Sequence, residues 1–110
     1  MLDKQGLLAA GRRKTSSLEI DGGAVRLMEL SGTGRDEYDH FVTIVAAGNW
    51  RNVRAKLAQL SIVDEAGELM FARDEVDKVG DISGNVLDKI FDECKRLNGL
   101  DEAIEELEKK

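Results

Sequence analysis

The spacing of apolar residues along this chain changes several times, and each change predicts a change of element. Near the start, "LDKQGLLAAGRR" allows a short helix with Asp3 as N-cap and with Leu7, Leu8 and Ala10 packing inward, although Gly6 weakens it. In "SSLEIDGGAVRLMEL", Leu18 and Ile20 alternate with polar neighbours, residues 21–23 turn, and Val25, Leu27 and Leu30 resume the apolar pattern. That is the pattern of a β-hairpin. Ser31 or Thr33 can then cap a helix, because Tyr38, Phe41, Val42 and Val45 fall at i, i+3, i+4 and i+7 and make one inward stripe that Gly48 ends. A second helix is predicted from near Asn49, with Trp50, Val53, Leu57 and Leu60 on one face.

The next stretch, "QLSIVDEAGELMF", places Leu60, Ile62 and Val63 opposite Leu69, Met70 and Phe71 across a turn at 64–67, which predicts a second hairpin. A short capped helix follows around 75–79. The strongest helix comes after it: Ser83 or Asn85 caps it, Val86, Leu87, Ile90, Phe91, Cys94 and Leu97 form its stripe, and Asn98 with Gly99 stops it. Asp101 recaps a last helix carrying Ala103, Ile104 and Leu107. The fold class expected is α+β: one small, mainly helical domain over 1–110 with one or two β-hairpins. Residues 1–14 are expected as a flexible N-terminal arm and 100–110 as an acidic C-terminal helix.

Composition narrows the function classes. At 110 residues the chain fits one domain with a modest core, and 42% hydrophobic with 35% charged residues describes neither a disordered nor a membrane-spanning protein. No apolar run approaches the roughly 20 residues that cross a bilayer, and "MLDKQGLLAAGRRK" lacks a basic stretch ahead of an apolar one, so a cytosolic location is expected. The single cysteine, Cys94, suits a reducing compartment. Proline is absent, which leaves eleven glycines to make the turns. Net charge is +2 over residues 1–35, 0 over 36–63 and −8 over 64–110, within a total of −6. A field of that sign repels phosphate backbones, so nucleic-acid binding is disfavoured despite Arg12, Arg13 and Lys14.

Candidate chemistry is sparse. A calcium loop starting at Asp64 would need oxygen ligands at positions three and five and glycine at six, where this chain has Ala66, Glu68 and Leu69. "SGTGRDE" lacks both the Lys-Ser/Thr of a phosphate loop and the spacing of a dinucleotide fingerprint. His40 stands alone, without the companion that general acid–base work requires, and Cys94 falls on an apolar stripe where a thiol behaves as a small hydrophobe. "RRKTS" has the form of a basophilic kinase target, a match common by chance. Trp50 in "GNWRN" either covers the core or anchors an interface. No catalytic, cofactor-binding or metal-binding residue is expected, and the protein is expected not to be an enzyme.

Several segments carry a family resemblance. "LSIVDEAGELMF", "DEVDKVGDIS", "VLDKIFDECKRLNGL" and the acidic "DEAIEELEKK", in that order across most of residues 24–110, together resemble tail assembly chaperones of long-tailed bacteriophages and prophages. The resemblance implies a non-enzymatic protein of the bacterial host cytoplasm that keeps the tape-measure protein soluble while the major tail tube protein polymerises around it. It also implies self-association into a homo-oligomer, and a longer form made by ribosomal frameshifting. A client of that kind, helical with exposed apolar stripes, calls for apolar surface on a charged carrier. The contacts expected are Trp50, Val53 and Leu57 on the middle helix and Ile104 and Leu107 on the last. The alternative is a structural phage component, a head–tail connector-like or minor tail protein, which would be found in purified particles; a small acid–base enzyme ranks third.

Overall fold

The computed structural model describes residues 1–100. The predicted last helix, with Asp101, Ala103, Ile104 and Leu107, lies outside the described residues. The architecture is α+β, as the sequence pattern predicts. Its elements run α1 (Lys4–Ala10), β1 (Thr15–Ile20), β2 (Gly23–Met28), α2 (Gly32–His40), a π-helical turn (Phe41–Val45), α3 (Val53–Ser61), β3 (Ile62–Val63), a 3-10 turn (Arg73–Glu75), α4 (Val76–Gly80) and α5 (Gly84–Asn98).

The first hairpin forms as predicted, with Thr15 opposite Met28 and Ile20 opposite Gly23 around a two-residue turn in which Gly22 takes φ +83°. β2 then pairs antiparallel with β3, giving the sheet order β1-β2-β3 and putting Leu27 in the core. The second hairpin is shorter than the pattern predicts. Leu60 and Ser61 still belong to α3, only Ile62 and Val63 are extended, and a single bridge joins Val63 to Leu69. Its turn is built on Asp64, whose Oδ1 accepts from the N–H groups of Ala66 and Glu68 at 2.9 and 3.0 Å, with Gly67 at φ +82°. Because the returning arm pairs so briefly, Leu69 and Met70 stay exposed.

Asp3 caps α1 by accepting from Gly6 N–H at 2.8 Å, but Leu7, Leu8 and Ala10 do not pack inward: no residue of α1 is buried. A two-turn helix leading into an edge strand has no element laid over it. α5 matches the predicted stripe, with Leu87, Ile90, Phe91 and Cys94 buried, and Gly99 at φ +67° ends it. α3 does not match an amphipathic stripe, since eight of its nine residues are buried and only Arg54 faces water. α2 and the π-helical turn, α4 and α5 all pack on it.

Burying a helix on every side also buries polar groups, and these find partners. Lys56 Nζ donates to Glu37 Oε2 at 2.7 Å and to Gln59 Oε1 at 3.1 Å and lies over the Phe41 ring, while Gln59 Nε2 donates to the Phe71 carbonyl. Arg73 Nε reaches both oxygens of Glu37 at 2.8 and 3.0 Å. Burial alone would raise the Glu37 carboxyl, but the Lys56 and Arg73 bonds outweigh it and leave the group below its ordinary value. Ser61 Oγ, fully buried, has only the weak Cys94 thiol beside it, and burial pushes that thiol up to about 11.

Asn98 closes the opposite end. Its Oδ1 accepts from Leu30 N–H and its Nδ2 donates to the Cys94 carbonyl, both at 2.8 Å, tying the end of α5 to the chain between β2 and α2. Asn98→Ala should therefore cost about 2 kcal/mol, because the buried Leu30 N–H loses its partner while the Cys94 carbonyl keeps only its helical bond. The measurement is the urea midpoint, which should fall with an unchanged denaturant slope.

Acid should weaken the fold through Glu93, which bonds from Arg96 and then Ser16 hold down at about 2 against an ordinary 4.5. A group lowered in the folded state stabilises fully above its unfolded value and loses that contribution as pH falls toward its folded one. Urea midpoints should therefore drop between about pH 4.5 and pH 2, and the drop should be shallower in Glu93→Gln.

Candidate functional site

Between α2 and α3 the backbone departs from regular geometry twice, and the departures bring apolar side chains to the surface. The residues "FVTIV" include a β-branched run, Val42 to Val45, that fits an α-helix poorly at χ1. Here the helix widens: Ala46 N–H donates to the Phe41 carbonyl at 2.8 Å, five residues back. The extra residue in that turn rotates the following stripe. Val45, which α-helical spacing places inward, is 60% exposed beside Ile44 at 63%, and Ala46 takes the buried position instead.

The second departure is the 48–52 loop. Gly48 at φ +83°, Trp50 at φ +59° and Asn52 at φ +61° all lie in the left-handed region, which costs a bulky side chain such as Trp50 roughly 1–2 kcal/mol. Local bonds fix the shape: Asn49 Oδ1 accepts from Arg51 N–H at 2.9 Å, and Asn52 Nδ2 donates to Asp77 Oδ1 at 2.7 Å, anchoring the start of α3 to α4. Gly80 is required there, since a Cβ at that position would stand 2.6 Å from Asn52 Oδ1.

Trp50 is thereby held 56% exposed over a cavity of about 90 Å³ lined by Val42, Ala46, Gly48 and Val53. Asn52 is shared by two shallow grooves. One, of about 380 Å³, runs past Phe41, Val45 and Val76 with Arg51, Lys56 and Arg73 on its walls; the other, of about 480 Å³, runs past Trp50, Ile82 and Leu87. The surface is thus a patch of Ile44, Val45 and Trp50 with a groove on either side. Such a patch suits an apolar side chain from another molecule.

Of the expected contacts, the structure places Trp50 on this surface, but it does not present Val53 or Leu57 there. Val53 lines the cavity floor at 4% exposure and Leu57 is fully buried against the core, so in this conformation neither side chain can be the outer face of a docking surface. The reason is the all-round burial of α3. Ile104 and Leu107 lie outside the described residues. Ile44 was missed, although the β-branched run that contains it was the available signal. His40 is exposed on the last turn of α2, and among the described residues no three His, Cys, Asp or Glu side chains are grouped to hold a metal ion. No helix among them is long and apolar enough to cross a membrane.

No protein-family profile and no curated protein matches the chain. Among solved structures it is similar to the tail assembly chaperone of bacteriophage HK97, with a TM-score of 0.62 and 20% identity, over 83% of this chain and 89% of that one. At that identity the likeness establishes a shared fold.

Proposed function

We propose that this protein is a phage tail assembly chaperone that works in the host cytoplasm, binds the tape-measure protein, keeps it soluble and assists polymerisation of the tail tube protein without any catalytic step. The observation that carries the reading is the common fold with the HK97 tail assembly chaperone across 89% of that chain. The patch at Ile44, Val45 and Trp50 supports it by offering an apolar helix a place to rest, and the net charge of −6 keeps a loaded complex dispersed.

Co-expression with the tape-measure protein tests the proposal. Soluble client should rise with the wild-type chain and fall back with Ile44→Asp or Trp50→Gly. Trp50→Gly should leave thermal stability within about 1 kcal/mol of wild type, since glycine relieves the left-handed backbone while a half-exposed ring is lost. Client that stays insoluble with the wild-type chain, or full rescue by both variants, would count against the proposal. Finding the protein as a stoichiometric part of purified particles would favour a virion component instead.

A further inference from the structure

Helix α1 stands without support from the rest of the described fold. It has seven residues, Gly6 among them, and none of them is buried. A helix shorter than about 12 residues is marginal in water, and the cap that Asp3 provides contributes only about 1 kcal/mol. Leu7 and Leu8 are 63% and 62% exposed, and Leu2, just ahead of the helix, is 63% exposed. Leucines so placed call for cover, and no described element gives it.

Position and charge indicate what covers it. The chain leaves α1 through Arg12, Arg13 and Lys14, all exposed and none in an ion pair among the described residues. Lys14 exchanges backbone bonds with Glu29, through its N–H to Oε1 at 3.1 Å and its carbonyl to the Glu29 N–H at 2.8 Å. The next residue, Leu30, donates to Asn98 Oδ1 at 2.8 Å. The exit of α5 therefore stands beside the exit of α1. Residues 101–110 follow, acidic at Asp101, Glu102, Glu105, Glu106 and Glu108, with Ile104 and Leu107 as large apolar side chains three apart. At helical rise ten residues span about 15 Å, more than the roughly 10 Å of α1. An anionic membrane would match the three cations too, but the chain's net charge of −6 opposes its approach.

We propose that α1 is the docking surface for the chain's own residues 101–110, which run back over it in the opposite direction. Asp101 and Glu102 then meet Arg12 and Arg13, and Ile104 and Leu107 cover Leu8 and Leu7. A contact within one chain needs little area, because the tether holds the two parts at an effective concentration in the millimolar range. Salt screens its charged half and leaves its apolar half. The proposal does not rest on the chaperone reading, and it assigns Ile104 and Leu107 to the chain's own N-terminal helix rather than to a client.

Hydrogen exchange on the full chain reads this cover. The amides of Leu7 and Gly11, bonded to the carbonyls of Asp3 and Leu7, should exchange at least about tenfold faster in Leu107→Asp than in wild type, while α5 exchanges as before. Arg12→Glu/Arg13→Glu should unprotect α1 at low salt, and adding Asp101→Arg/Glu102→Arg should restore it. In Leu8→Cys/Leu107→Cys, oxidation should give a disulfide within one chain, seen as a monomer on a denaturing gel, with the buried Cys94 taking no part. Four results would overturn the proposal: wild-type α1 exchanging like unfolded chain, protection unchanged in Leu107→Asp, charge reversal that restores nothing, or disulfides formed only between chains. Protection of α1 that appears only with phosphatidylglycerol vesicles would overturn it in favour of a membrane surface.

Discussion

Helix α3 is enclosed on all sides, and the position of nearly every other element follows from what it takes to enclose it. α4 and α5 supply apolar cover, but the side toward α2 carries Lys56, which cannot be buried without a counter-charge. Glu37 provides that charge from the middle of α2, and Gln59 and Arg73 take up the remaining bonding capacity of the pair. The network therefore fixes α2 against α3 at one distance and draws the 71–73 segment onto the same spot through the Phe71 carbonyl. An apolar residue at position 56 could stabilise as well, but it would not specify which groups of the neighbouring segments must meet there.

That fixed geometry explains why the backbone between α2 and α3 is irregular. With Glu37 bound to Lys56 and Asn52 bound to Asp77, both ends of the connection are pinned. The π-helical turn adds a residue and the left-handed positions at Trp50 and Asn52 reverse the chain. Strained backbone of this kind persists only where the surroundings over-determine it, and it gathers where side chains must be held in unusual places. Here it holds Val45 and Trp50 at the surface beside Ile44.

The same features separate what was legible in the sequence from what was not. α5 was readable because Leu87, Ile90, Phe91 and Cys94 keep α-helical spacing against one neighbouring layer, and the first hairpin because residues 21–23 leave no other turn available. α3 was expected to show one apolar face, whereas eight of its nine residues are buried, and periodicity cannot reveal this because the partners of its Lys56 and Gln59, Glu37 and Phe71, are distant in sequence. Val53 and Leu57, expected on an outer face, are buried for that reason. The π-helical turn breaks the 3.6-residue register on which Val45 was placed inward. For Trp50 the sequence left open a cover for the core or an interface anchor; the ring is half exposed, and its left-handed backbone has no signature in the residue type.

The exposed patch is also small. Three exposed apolar side chains with shallow grooves beside them fall short of the roughly 1,200 Å² of buried surface that marks stable complexes, so a contact made by this patch alone is weak and exchanges readily. The patch lies in the segment of zero net charge, 36–63, while the −8 of residues 64–110 is carried elsewhere in the sequence. The net charge of −6 makes copies of the chain repel one another, which opposes clustering through the patch.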